Sequence, residues 1–231
     1  MINHLRKALL SQMERTAEDA TEDAVHDLRV AVRRLSEALR LFGADSHSRK
    51  QLRRIRDRAA AVRDRDVCMR LLRRPVTDPV VNYVRGQRDL AAAQLIAFLH
   101  RQLRHPMEKV QEQGTPQSLL PRVEVFLDAD PAQPHALRIA AKRLRYAIEV
   151  LNPDGAEPWL KRLRQLQAQL GDLHDLQVAA SLIAAHPRAA AALSELHWRA
   201  AILEARFQQQ WRRNFGPRVR QRLLAWAKAE T

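Results

Sequence analysis

An all-α fold of two pseudo-symmetric helical bundles, about four helices each, is predicted by three features of this 231-residue chain. Apolar residues recur at helical spacing through most of its length, strand-like alternation bounded by turns is absent, and one helix is spelled nearly twice. The two copies are His26-x-x-Arg29-Val30-x-x-Arg33-Arg34-Leu35 and His135-x-x-Arg138-Ile139-x-x-Lys142-Arg143-Leu144, 109 residues apart. A shared spacing of histidine, cations and aliphatics marks an internal duplication.

The first repeat, residues 1–105, reads as helices near 3–18, 21–43, 47–73 and 79–104. Thr21 reads as an N-cap with Glu22 and Asp23 in the first turn, Gly43 as a stop, and Ser46 or Ser48 as the next start. Pro75 and Pro79 bracket a turn. Residues 106–133 read as a linker, because five prolines from Pro106 to Pro134 and Gly114 surround one short helical segment, Ser118 to Leu127. The second repeat, 134–231, carries helices near 134–151, 157–184, 187–215 and 217–229. Beyond the first motif the match continues at a shift of 111 residues, pairing Leu52, Arg53, Ile55, Arg63-Asp64, Val67 and Arg88 with Leu163, Arg164, Leu166, His174-Asp175, Val178 and Arg199. Two extra residues in the loop from Asn152 to Trp159 explain the changed offset. Duplicated bundles are expected to pack about an approximate two-fold axis, with their matching stripes facing one cleft.

Wound at about 100° per residue, each motif separates into two faces. Leu28, Ala31, Val32, Leu35, Leu39 and Phe42 gather on one side; His26, Arg29, Arg33 and Arg40 fall on the other. The second copy sets Leu137, Leu144, Ile148 and Leu151 against His135, Arg138, Lys142 and Arg145. Like charges at this spacing destabilise a helix by roughly 0.2–0.5 kcal/mol per pair. Glu37 and Glu149 relieve only the far end of each stripe. A solvated polar face needs no fixed spacing, so the repeated stripe calls for a functional reading.

Composition points to a polyanionic partner. The formal charge is +14, from 40 basic and 26 acidic residues. Arginine supplies 34 of the 40, and its planar fork grips phosphate oxygens through paired hydrogen bonds. Charge is concentrated from His26 to Arg74, where 15 basic residues face 6 acidic ones. A lone Cys68 in an apolar run excludes an internal disulfide and reads as a buried thiol. The amphipathic start lacks a secretory signal, and apolar runs such as Leu95 to Leu99 are too short to cross a bilayer, so a soluble cytoplasmic protein is expected.

These residues resemble the CHAD family, the conserved histidine α-helical domain. Its two halves each carry the motif helix above, and a second helix in each carries Leu-Gly-x-x-[Arg/His]-Asp-x-x-Val. Leu170-Gly171-Asp172-Leu173-His174-Asp175 with Val178 fits that pattern, whereas the first half keeps Arg63-Asp64-Arg65-Asp66-Val67 but has Ala59-Ala60 in place of Leu-Gly. The resemblance spans nearly the whole chain, which would then be one CHAD domain. It implies a double bundle that binds inorganic polyphosphate through basic residues, with links to polyphosphate or polyhydroxyalkanoate granules and their surface proteins.

On that reading the phosphate contacts are Arg29, Arg33 and Arg34 in one half and Arg138, Lys142, Arg143 and Arg145 in the other. Arg53, Arg56, Arg63 and Arg164 widen the track, with Arg88, Arg199 and His174 added by repeat equivalence or motif. His26 and His135 either fix helix ends or charge beside bound phosphate, in which case binding tightens as pH falls from about 8 to 6. Asp64 and Asp175 are expected to orient arginines. The main competitor is nucleic acid binding, against which stands the scarcity of exposed aromatics and of Asn or Gln in the stripes; Tyr146, at the border of the second stripe, is the main exception. No His-Glu-x-x-His and no nucleophile with a base is evident, so neither catalysis, a metal nor a cofactor is expected.

Overall fold

The computed structural model describes residues 1–42, 46–107 and 117–229. Among the described residues every regular element is a helix: α1 (Ile2–Glu18), α2 (Glu22–Leu41), α3 (Ser46–Leu72), α4 (Pro79–Arg104), α5 (Leu120–Asp128), α6 (Pro134–Leu151), α7 (Glu157–Ile183), α8 (Ala190–Asn214) and α9 (Pro217–Ala229). The fold is all-α. Gly43 and Gly114, expected as a helix stop and a linker glycine, lie outside the described residues.

Local chemistry sets the helix ends. The Thr21 hydroxyl accepts a hydrogen bond from the Ala24 amide at 3.2 Å, capping α2. Asp78 accepts from the amides of Val80 (2.8 Å) and Val81 (3.4 Å), capping α4 just before Pro79 at its first position. Asn152 closes α6 in the left-handed region, φ 46°, which asparagine tolerates better than most residues. Helix α8 begins at Ala190, three residues later than its periodicity suggests. His186 Nδ1 accepts from the Arg188 amide and ties the preceding residues into a turn.

The described residues divide into two compact units. One falls within Met1–Gly114 and Asp175–His197, the other within Thr115–His174 and Trp198–Thr231.

In the first unit α1 packs on α2, α2 on α3, α3 on α4 and α4 on α1, which closes a four-helix bundle. Leu9, Leu28, Val32, Leu35, Leu39, Ile55, Leu95 and Leu99 fill its interior at 1% exposure or less. Burying such side chains contributes roughly 1.5–3 kcal/mol each. Cys68 is fully buried with its Sγ 3.7 Å from the Ala179 carbonyl, and burial pushes its thiol up to about 11 against the pull of Arg65. Tyr83 packs against His186 with ring centroids 5.1 Å apart.

The second unit has its own core. Helix α5 packs on α6 and α9, and Phe126 meets Trp211 and Phe215 edge-on at 5.9 and 5.3 Å. Gln167 of α7 donates to the Ala141 carbonyl of α6 at 2.9 Å, and Trp226 Nε1 donates to the Asp154 carbonyl at 2.9 Å. That loop turns through Gly155 at φ 67°, where a side chain would also meet the Trp226 ring. No described helix is long and apolar enough to cross a membrane.

Candidate functional site

The core side of α2 forms as its periodicity requires: Leu28, Val32, Leu35 and Leu39 are all at 0% exposure, while Ala31 and Phe42 are half-buried. The opposite side is not uniformly solvated. His26 and Arg34 are exposed, but Arg29 is largely buried, and its Nη1 has no hydrogen-bond partner among the described residues. Burial pushes the Arg29 guanidinium down to about 10, assisted by the charges of Arg33 and Arg63 and opposed by those of Asp64 and Asp175. A cation is therefore held where its surroundings disfavour charge.

Helix α3 brings Arg63 to this cluster. Arg63, 17% exposed, donates to Glu22 Oε1 at the start of α2, and Arg70 donates to the same oxygen at 3.0 Å. The Arg63 hydrogen bond outweighs burial and, with the charges of Arg63, Arg70 and Arg88, holds the Glu22 carboxyl below its ordinary value. Arg88 of α4 is anchored by Asp66, 2.9 Å away, and by the Ala20 carbonyl. Arg56 turns both Nε and Nη2 onto Asp57, whereas exposed Arg53 makes no ion pair among the described residues.

In the second unit His135 is exposed and its ring centroid lies 5.7 Å from that of His174 on α7. Arg143 is exposed and without an ion pair among the described residues. Arg145 lies over the Tyr146 ring at 4.4 Å and reaches Glu149 at 3.5 Å. Arg164 pairs with Glu157 at 2.9 Å. Arg33 in the first unit, and Arg138, Lys142 and Arg199 in the second, each have an interaction partner within the chain.

Two expectations from sequence need correction, those for Tyr146 and Arg29. Tyr146 is not an exposed border residue: it is 5% exposed, because α6 turns its ring into the core. At the far end of the first stripe Glu37 accepts from Arg40 at 3.0 Å, as expected, and is itself buried at 2%. Arg29 does not share the open exposure of Arg34. Sequence reading also missed Glu22, Asp66 and Arg70 as members of the cluster. For Glu22 and Arg70 the only available signal was charge, since 48 residues separate them. Among the described residues no group of three or more His, Cys, Asp or Glu is placed to hold a metal ion.

Comparison with known proteins points to one family. The family model described as CHAD domain matches residues 1–104 and again residues 85–184. The fold is similar to the crystal structure of the CHAD domain from the plant Ricinus communis. That likeness has a TM-score of 0.60 at 24% sequence identity, covering 96% of this chain and 89% of that one. No curated protein matches the sequence.

Proposed function

The chain belongs to the CHAD domain family, and from that premise we propose that it binds inorganic polyphosphate through the arginine-rich faces of its two repeats. The role is that of a binding protein that recruits to polyphosphate or polyhydroxyalkanoate granules, without catalysis. One observation carries this reading: Arg29 is held charged in a half-buried cluster with Arg33 and Arg63, and its Nη1 donor is unpaired. An anion satisfies that donor and relieves the opposition among the cations. Exposed Arg34, Arg53 and Arg143 support the reading by offering cations that no carboxylate engages among the described residues.

Several of the cations expected to touch the ligand have a carboxylate partner within the chain. Arg56, Arg88, Arg145 and Arg164 pair with Asp57, Asp66, Glu149 and Glu157. A phosphate chain engages them by exchanging with those carboxylates, since guanidinium groups grip both kinds of oxygen. Single-stranded nucleic acid is the competing ligand, favoured by one observation: Trp198 on α8 is 66% exposed and offers a stacking surface.

Calorimetric titration with long-chain polyphosphate, single-stranded DNA and ATP, at several salt concentrations, tests the assignment. Polyphosphate is expected to bind tightest, ATP poorly, with affinity falling steeply with salt as condensed counterions are released. Charge reversal at Arg33 and Lys142 together is expected to abolish binding with the helical signal intact. Equal or tighter binding of DNA overturns the reading, and steady release of orthophosphate overturns the non-catalytic part of it.

A further inference from the structure

Glu22 stands in the first unit as a phosphate would. A single oxygen of its carboxylate accepts from Arg63 and Arg70, two turns apart on α3, and Arg88 adds a third positive charge nearby. Guanidinium groups grip carboxylate and phosphate oxygens with the same donor geometry, so the two compete for one seat. Arg63 in turn adds its charge to the surroundings of Arg29. The seat is thus continuous in its electrostatics with the proposed polyphosphate face.

The second repeat lacks this arrangement. At the positions matching Glu22, Arg63 and Arg70 it carries Pro131, His174 and Ser181. Neither a carboxylate nor the two arginines recur, so the pairing is not part of the duplicated bundle. Nor is it buried beyond the reach of a ligand, since the side chains of Glu22 and Arg70 are 43% and 58% exposed.

Resting on the polyphosphate reading, we infer that Glu22 is an internal surrogate ligand, whose carboxylate holds Arg63 and Arg70 until a phosphate polymer displaces it. Displacement is easy because the freed carboxylate stays in the first turn of α2, where the helix dipole favours negative charge. Selectivity follows from exchange. A short phosphate gains little beyond the two arginines that Glu22 gives up, whereas a long polymer gains further cations along the face. Glu22 therefore sets how much charge a ligand must bring to the first repeat.

Calorimetry with long-chain polyphosphate and with pyrophosphate, on the full chain at fixed pH and salt, tests this. The set is the unaltered protein, Glu22→Gln, Glu22→Asp and Asp27→Asn. The last removes an equal charge from the same helix, at a residue paired with Arg15 outside the seat. Glu22→Gln is expected to tighten binding about fivefold more than Asp27→Asn does, with the larger gain for pyrophosphate. Glu22→Asp keeps the charge but shortens the reach, and is expected to shift affinity in the same direction. Circular dichroism confirms that each variant is folded. If Glu22→Gln weakens binding or merely matches Asp27→Asn while the unaltered protein binds polymer, the surrogate role is overturned and the polyphosphate reading stands. If no form binds polymer, both fall.

Discussion

Arg29 carries a charge that its surroundings oppose. Its folded value, about 10, lies below the ordinary arginine value, chiefly through burial and then through Arg33. The folded chain therefore binds that proton more weakly, so the opposition is fully present at neutral pH and fades only as pH rises past about 10. Asp64 is the carboxylate that supports the charge most, and Asp175 supports it less. Asp64→Asn is accordingly expected to cost about 1 kcal/mol of stability, and Asp175→Asn less. In an Arg29→Met background both losses should shrink, because no buried cation remains to be supported. Urea titrations of the single and double variants check this as mutant cycles, and losses undiminished by the Arg29→Met change would refute it. The spacing of the motif was enough to pick out Arg29, Arg33 and Arg63, but not their burial or pairing. Helical periodicity reports which side of a helix a residue occupies and is silent about what another helix brings to that side. Glu22 lies 41 residues from Arg63, and Tyr146 differs from its exposed neighbour Arg143 only in how α6 meets its core.

Helix ends were legible where a single residue supplies the cap. Thr21 and Pro79 mark the starts of α2 and α4 within one residue of their expected places, and α6 and α9 likewise begin at Pro134 and Pro217. The start of α8 was not legible, since an imidazole accepting from an amide two residues on leaves no pattern in sequence. The second motif helix raises a different question: whether the Ala60 of the first repeat, standing for a glycine, marks a defect. Gly171 holds the matching place in α7, and a methyl group added there would meet nothing within 4 Å. Glycine inside a helix costs roughly 0.5–1 kcal/mol relative to alanine. Gly171→Ala should therefore raise stability by about that amount, read as a higher urea midpoint with an unchanged slope. A fall in the midpoint would mean that the glycine answers a packing demand, and that Ala60 is met by compensation in its own repeat.

At the scale of the molecule, the duplication was legible because it repeats residue types, and burial follows it. Leu28 and Leu137, Leu35 and Leu144, Leu52 and Leu163, Ile55 and Leu166 are all buried. The membership of the compact units was not legible. Helices α7 and α8 each contribute to both units, and their uninterrupted periodicity gives no sign of where one set of neighbours gives way to the next. The first unit takes in Asp175–His197, where Leu176, Ala179, Ile183, Ala189, Ala192 and Leu196 are buried at 2% or less. In this segment the Ala179 carbonyl faces the Cys68 thiol and His186 packs on Tyr83. A fragment of residues 1–107 keeps the four helices of the bundle but loses that cover, leaving apolar surface and a buried thiol open to water. Such a fragment is expected to retain helical circular dichroism while losing its cooperative thermal transition, as chains with secondary structure but unspecific packing do. Cys68 provides an independent readout: protected from alkylation in the full chain, it should react readily in the fragment, and a synthetic 175–197 peptide added in trans should slow it again. Should the fragment melt cooperatively with Cys68 still protected, the first repeat stands by itself and the later segment is merely apposed to it.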